Sequence, residues 1–281
     1  MGEFIMQIEQ QTLTAAEHPF KVTAYWLDQI SDFETPVDYP VMIICPGGGF
    51  TYHSGREEAP IAMRFLAEGM HTVVLNYQLE TATEQVYPWA LQQVAQTIAW
   101  VTGQATAHHV DPDRILLAGF SAGGHVVATF NGVATNPVLK AQYQLDRYTG
   151  HHAATVLGYP VIDLEAGFPT TAAEREKITT DSQLWAAQKL VTEATKPTFI
   201  WQTVTDELVP PFNSMMYVKA LAEQQVATEY HLFGGGIHGL ALANHVTEKP
   251  NKPKYLDDQA ANWVPLAIRW LQRQGFLADN V

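Results

Sequence analysis

Cysteine is nearly absent. The 281-residue chain holds one, Cys45, so no internal disulfide can form and no second thiol exists to build a thiolate metal site. Positive charge is scarce as well: 16 Lys and Arg stand against 29 Asp and Glu, a net charge of −13, with no Lys/Arg-rich run to offset it locally. Such a balance argues against a phosphate backbone or an anionic membrane as partner, so neither nucleic acid nor membrane is expected. No apolar stretch approaches a membrane span, and the start, Met1-Gly2-Glu3-Phe4-Ile5-Met6, lacks the basic segment of a secretory leader. These absences lead to the expectation of a soluble protein in a reducing, cytoplasmic compartment. Charged residues amount to only 16 %, whereas hydrophobic ones reach 47 %, a composition that excludes disorder and fits an ordinary globular core.

What is present has a rhythm. An alternating start (Phe4, Met6 and Ile8 against Ile5, Gln7 and Glu9, then Val22, Ala24 and Trp26 against Lys21, Thr23 and Tyr25) predicts two antiparallel strands with a turn near His18-Pro19. Short continuous apolar runs follow at 41–45, 72–77, 115–119, 154–159 and 198–202, as strands buried on both faces of a parallel sheet require. A more polar strand is expected at 229–233. Helical spacing appears between them at 59–68, 88–101, 215–224 and 256–271, and alternating strands and helices predict a single α/β domain over 1–281 with a mostly parallel sheet. The apolar face of the last helix (Trp263, Leu266, Trp270) reads as core or as a homo-oligomer interface. One segment breaks the rhythm: positions 161–195 carry mixed charge and no strong stripe, and read as a small cap or lid insertion, the bland alternative being a long surface connection.

The chemistry starts at Gly119-Phe120-Ser121-Ala122-Gly123-Gly124, which follows an apolar run and precedes a helical stretch. G-x-S-x-G between strand and helix is a nucleophile elbow: the turn needs small residues two before and two after the serine, and exposes its hydroxyl at a helix N-terminus. A serine hydroxyl needs a base. Of 11 histidines, His238 lies in the loop Gly234-Gly235-Gly236-Ile237-His238-Gly239 after the last expected strand, where this architecture returns a histidine over the sheet. His231 reads as a strand residue, His125 as packing, and the pairs His108-His109 and His151-His152 as surface turns. The imidazole in turn needs an acceptor, for which Asp206 after the strand 198–202 is the candidate, with Glu207 and Asp163 as alternatives. The order Ser121, Asp206, His238 is the Ser…Asp…His order of α/β-hydrolases. Finally, Cys45-Pro46-Gly47-Gly48-Gly49-Phe50 ends an apolar strand in bare backbone. Gly48, Gly49 and Ala122 are the candidate N–H donors for an oxyanion. A phosphate loop is the rival reading, but these glycines lead into neither a Gly-Lys-Ser/Thr ending nor a G-x-G-x-x-G helix start. Phe50, Phe120, Leu208 and Phe212 are candidate pocket walls, equally readable as core, and Arg56 reads as the partner of a neighbouring or distant carboxylate.

With these parts in order, the chain resembles the α/β-hydrolase superfamily over nearly its whole length. It looks closest to small bacterial carboxylesterases of the hormone-sensitive-lipase and acetyl-xylan/feruloyl-esterase type. The residues behind this are Pro46-Gly47-Gly48-Gly49-Phe50, Ser54-Gly55-Arg56-Glu57-Glu58-Ala59-Pro60, the elbow through His125, and His238-Gly239-Leu240-Ala241-Leu242-Ala243. Pro46 stands where many hormone-sensitive-lipase-like enzymes have histidine, which points toward the sugar-esterase branch. The resemblance implies a serine carboxylesterase for small or short-chain acyl esters, acetylated sugars or aryl esters among them. Ser121, Asp206 and His238 would form the triad, and no metal or organic cofactor would be needed. An amidase or formamidase using the same triad, and a non-catalytic ligand-binding homologue, are the alternatives.

Overall fold

A computed structural model describes residues 6–278, except 31 and 33. The first two strands, β1 (Gln7–Ala15) and β2 (His18–Trp26), form an antiparallel hairpin with Gln7 opposite Trp26 and Ala15 opposite His18. Its two-residue turn falls on Ala16 and Glu17, at φ 45° and 71°, not at His18-Pro19. Two positive φ angles in a row give the turn a twist matching that of the strands, which lets both run longer than the side-chain alternation indicates. Phe4 and Ile5, placed by that alternation on the first strand, lie outside the described residues.

The apolar runs become β3 (Tyr39–Cys45), β4 (His71–Asn76), β5 (Val110–Phe120), β6 (Ala154–Gly158) and β7 (Thr198–Thr203), with the half-buried β8 (Thr228–Phe233) at the edge. Among the described residues the sheet has eight strands, in the order β1-β2-β4-β3-β5-β6-β7-β8. Only the pairings β1–β2 and β2–β4 are antiparallel; the remainder are parallel, as expected of an α/β fold with crossover helices. The α-helices are α1 (Ala59–Leu66), α2 (Trp89–Thr102), α3 (Ala105–His108), α4 (Ala122–Thr135), α5 (Pro137–Gln142), α6 (Ala172–Ile178), α7 (Phe212–Glu223) and α8 (Trp263–Arg273). None of them is long and apolar enough to cross a membrane.

Strand parity divides the core into two layers. On β3, Val41, Ile43 and Cys45 face the layer of α2, α4 and α7, where they meet Leu91, Val126 and Tyr217. Met42 and Ile44 face the layer of α1 and α8, with Phe65, Trp263 and Leu271. Burial of both faces is why the runs are continuously apolar. The striped face of α8 is core: Trp263 and Trp270 are buried, and Trp263 stacks on Trp201 at 5.2 Å. This helix begins later than the spacing suggests, because Asp257 Oδ1 accepts from the Ala260 N–H at 2.7 Å and holds the preceding residues in a turn.

Positions 161–195 form a packed excursion between β6 and β7. Leu164, Ile178, Leu184 and Ala187 join the α2–α4 core. The Arg175 guanidinium lies 4.0 Å over the Trp185 ring and pairs with Glu165 at 2.9 Å. Two histidines expected on the surface are drawn inward: His152 is buried and bonded to Asn131 at 3.0 Å, and His108 stacks on Trp26 at 4.4 Å. Each belongs to an adjacent pair of which one member faces the interior. The parallel strands all end on the same side of the sheet, so the loops after β3, β5, β7 and β8 converge there.

Candidate active site

Ser121 follows β5 directly and is the residue before α4, at φ 52° and ψ −118°, a conformation that costs a non-glycine residue about 1–3 kcal/mol. Its backbone is held on both sides: the Ser121 N–H donates to the Gly158 carbonyl at 3.0 Å and its carbonyl accepts from Val161 at 3.0 Å. The sharpness of the turn explains Gly123, where an added Cβ would sit 2.1 Å from the Cys45 carbonyl oxygen.

His238 and Asp206 complete a relay. Ser121 Oγ lies 2.8 Å from His238 Nε2, and His238 Nδ1 lies 2.7 Å from Asp206 Oδ2. Asp206 is buried, and four donors meet its two oxygens. Oδ1 accepts from the N–H groups of Leu208 (3.1 Å) and Val209 (2.9 Å), while Oδ2 accepts from Gln202 Nε2 (3.0 Å) as well as from the imidazole. A carboxylate so surrounded only accepts, so the proton on His238 sits on Nδ1 and Nε2 is free to take one from the serine. The alternatives lie elsewhere: Glu207 is exposed, and Asp163 binds Gln188 and its own loop.

The glycine loop lies beside this relay. The Gly47 N–H is already committed to Glu57 Oε2 at 2.6 Å, so it is no donor for a ligand. Gly48 and Gly49 line the cavity in front of Ser121, Gly48 at φ 128° with its carbonyl turned back to accept from Thr51 and Tyr52. Ala122 is the first residue of α4, and its N–H has no partner within the helix. Gly48 and Gly49 thus share the cavity with Ser121, and Ala122 follows the serine directly at the helix start.

The cavity measures about 590 Å³ and is mixed in character, with Tyr52, Glu80, Phe168, Glu174, Lys249 and Tyr255 in its walls. Of the four candidate wall residues only Leu208 lines it. Phe50, at φ 66°, turns inward and packs edge-on against His125. Phe120 points into the α1–α8 core layer because side chains alternate along β5, and it packs on Tyr159 and Trp263. Phe212 is half exposed at the start of α7, away from the cavity wall. Among the described residues Arg56 forms no ion pair with a carboxylate: its guanidinium donates to the carbonyls of Thr247, Gly239 and Leu240 and covers the Tyr255 ring at 4.5 Å. His125 packs as expected, buried with its ring between Tyr87 Oη (2.6 Å) and the Trp185 carbonyl (3.3 Å), and burial lowers its pKa to about 4. Two contributors escape sequence reasoning, Glu57 and Tyr159, both buried and bonded to each other at 2.7 Å, with Glu57 also in the cavity lining. Their partners are far apart in the chain, and only the run Arg56-Glu57-Glu58 hinted at one of them.

Comparison with known proteins decides the family. The BD-FAE family model matches residues 27–221, more than two thirds of the chain. The chain belongs to the BD-FAE family. Among solved structures, this BD-FAE member is similar to the carboxylesterase Cest-2923 from Lactobacillus plantarum WCFS1. The identity is 72 % and the TM-score 0.97, over 98 % of this chain and 100 % of that one. Among curated relatives it is 30 % identical over 210 residues to the endo-1,4-beta-xylanase B of Butyrivibrio fibrisolvens, covering 72 % of this chain and 33 % of that protein. Esterase LipQ of Mycobacterium tuberculosis is 26 % identical over 222 residues, 75 % of this chain and 52 % of LipQ. The chain therefore spans between a third and about half the length of these curated relatives. The fold is that of the α/β-hydrolases, in one domain.

Proposed function

We propose that this BD-FAE member is a serine carboxylesterase acting on small or short-chain acyl esters, in which Ser121, His238 and Asp206 are the triad. The reading rests on one observation above the others: the Ser121 Oγ to His238 Nε2 distance of 2.8 Å, continued to Asp206 at 2.7 Å, beside backbone N–H donors. As Ser121 Oγ attacks the ester carbonyl, its proton passes to His238 Nε2 and the carbonyl electrons move onto oxygen, facing Gly48, Gly49 and Ala122. The imidazolium then gives that proton to the departing alkoxide, leaving an acyl group on Ser121 Oγ. Water, deprotonated by the same nitrogen, attacks the acyl-enzyme and releases the acid and the free serine. Asp206 stays ionised throughout and stabilises the imidazolium.

The relatives named carboxylesterase and esterase support ester hydrolysis. The short-chain preference draws support from the polar walls, since Glu80, Glu174 and Lys249 would be desolvated at a cost by a long alkyl chain. An acetylated saccharide is the favoured natural substrate class, in keeping with the polar rim and with a relative named xylanase. In this reading residues 161–195 act as a small cap, contributing Phe168, Pro169, Thr170, Glu174 and Ile178 to the cavity. The test is hydrolysis of p-nitrophenyl esters from acetyl to dodecanoyl by the wild type and Ser121→Ala. A rate that is highest for the shortest chains and lost in Ser121→Ala is expected. Full activity in the variant would overturn the assignment.

A further inference from the structure

Beside the glycine loop, at the cavity lining, lies a second buried carboxyl group that the serine chemistry described above does not use. Glu57 is 3 % exposed, in the loop between β3 and α1. Its Oε2 accepts from the Gly47 N–H at 2.6 Å, and its Oε1 accepts from Tyr159 Oη at 2.7 Å. Tyr159 Oη in turn accepts from the Ala241 N–H at 3.0 Å, three residues after His238. The Tyr159 ring stands edge-on to the imidazole with centroids 5.1 Å apart. Gly47 can only donate to Oε2, and the Tyr159 hydroxyl, accepting from Ala241, has its own hydrogen to donate to Oε1. With a donor on each oxygen, both can accept, an arrangement that favours the ionised carboxylate. Burial is the largest influence and leaves the Glu57 carboxyl above its ordinary value, while the Tyr159 and Gly47 donors and the charges of His238 and Arg56 pull against it. Tyr159 is itself held at φ 37°, in the left-handed region, immediately after β6. That strain in a large aromatic residue is maintained only by strong local constraint.

We propose that Glu57 is a positioning residue for the reaction. Through Gly47 it holds the loop that presents the Gly48 and Gly49 N–H groups, and through Tyr159 it holds the segment that carries His238. Its negative charge faces the imidazolium formed on His238. This rests on the serine-esterase reading above. Other groups share the field. Asp206 and Ser121 contact His238 directly, and Tyr159 covers its ring. Arg56 reaches the Gly239 carbonyl beside His238, and Tyr77, near Glu57, donates to the Pro46 carbonyl at 2.9 Å. The Arg56 guanidinium donates to three carbonyls, and its charge, like that of His238, favours the ionised form of Glu57.

The experiment is a pH profile of p-nitrophenyl acetate hydrolysis for wild type, Glu57→Gln, Tyr159→Phe and Ser121→Ala, with far-UV circular dichroism and Tm as controls of folding. Glu57→Gln keeps the shape and can still accept from Gly47. Its kcat is expected to fall about 10- to 100-fold with KM changed less than about threefold, as a misaimed oxyanion donor costs kcat and not binding. With the carboxylate charge gone, the decline of kcat/KM on the acid side should begin at lower pH than in the wild type. A side chain that merely filled space would alter Tm and leave that limb in place. Tyr159→Phe keeps the ring on His238 and the Glu57 carboxyl in place. It should lose kcat with a smaller displacement of the acid limb, and it carries the test if Glu57→Gln does not fold. Wild-type kcat with an unmoved acid limb in folded Glu57→Gln, or an unaltered kcat in Tyr159→Phe, would overturn the proposal while an inactive Ser121→Ala leaves the esterase reading standing. Activity in Ser121→Ala would remove both.

Discussion

Asp206 illustrates how much a single side chain is asked to do. With two backbone N–H groups on Oδ1 and two side-chain donors on Oδ2, every acceptor direction is used. Asparagine would turn an NH₂ toward one of these donors, and the least costly relief is to flip the His238 tautomer, placing a hydrogen on Nε2 where the serine needs a base. Asp206→Asn is therefore expected to lower kcat/KM by about 10⁴ with the fold intact, measured on p-nitrophenyl acetate. Gly123 carries the opposite kind of constraint, a steric one. A methyl group there meets the Cys45 and Pro46 carbonyl oxygens at 2.1 and 2.6 Å, and backbone cannot step aside as a flexible side chain can. Gly123→Ala should lose about 3 kcal/mol or more of stability in urea denaturation, along with activity, because the glycine loop is displaced.

At the scale of elements, α6 forms part of the cavity wall and depends on its first turn. Thr171 accepts from the Glu174 N–H while the Glu174 carboxylate accepts from the Thr171 N–H, a reciprocal capping box. Thr171→Ala should raise amide hydrogen exchange in residues 172–178 about five- to tenfold without moving the global Tm, since that turn opens locally. The central strands and the elbow were legible in the chain because each is a local pattern: a continuous apolar run for a strand buried on both faces, and small residues at fixed offsets from Ser121. The register of Phe120 was not legible in the same way. One position separates it from the serine, and strand parity sends it into the opposite core layer, where Tyr159 and Trp263 receive it. Phe50 was readable as wall or as core, and only the three-dimensional path of the loop reveals its inward turn. Glu57 and Tyr159, 102 positions apart, form a contact no local pattern announces.

For the whole molecule, burial of imidazoles has a thermodynamic reading. Burial lowers the pKa of His53, His71 and His125 to about 4 and that of His152 to about 3, against an ordinary value of 6.5. The unfolded chain takes up protons at these four sites near pH 6.5, and the folded chain does not until far lower pH. The unfolded state thus binds more protons across the window between these values, and stability must fall as pH drops through it. Urea midpoints at pH 7.5 and 5.5 should differ in that direction, and replacing His152 with Asn should flatten the slope; a midpoint unchanged over this range would contradict the reading. The lone thiol extends this view. Cys45 is fully buried on β3 between two core layers, and burial pushes its thiol well up from its ordinary value. It can meet an alkylating reagent only when the centre of the sheet comes apart. The chain thereby carries its own clock for global opening: one mass increment per molecule, accumulated over time, counts unfolding events in an otherwise native sample.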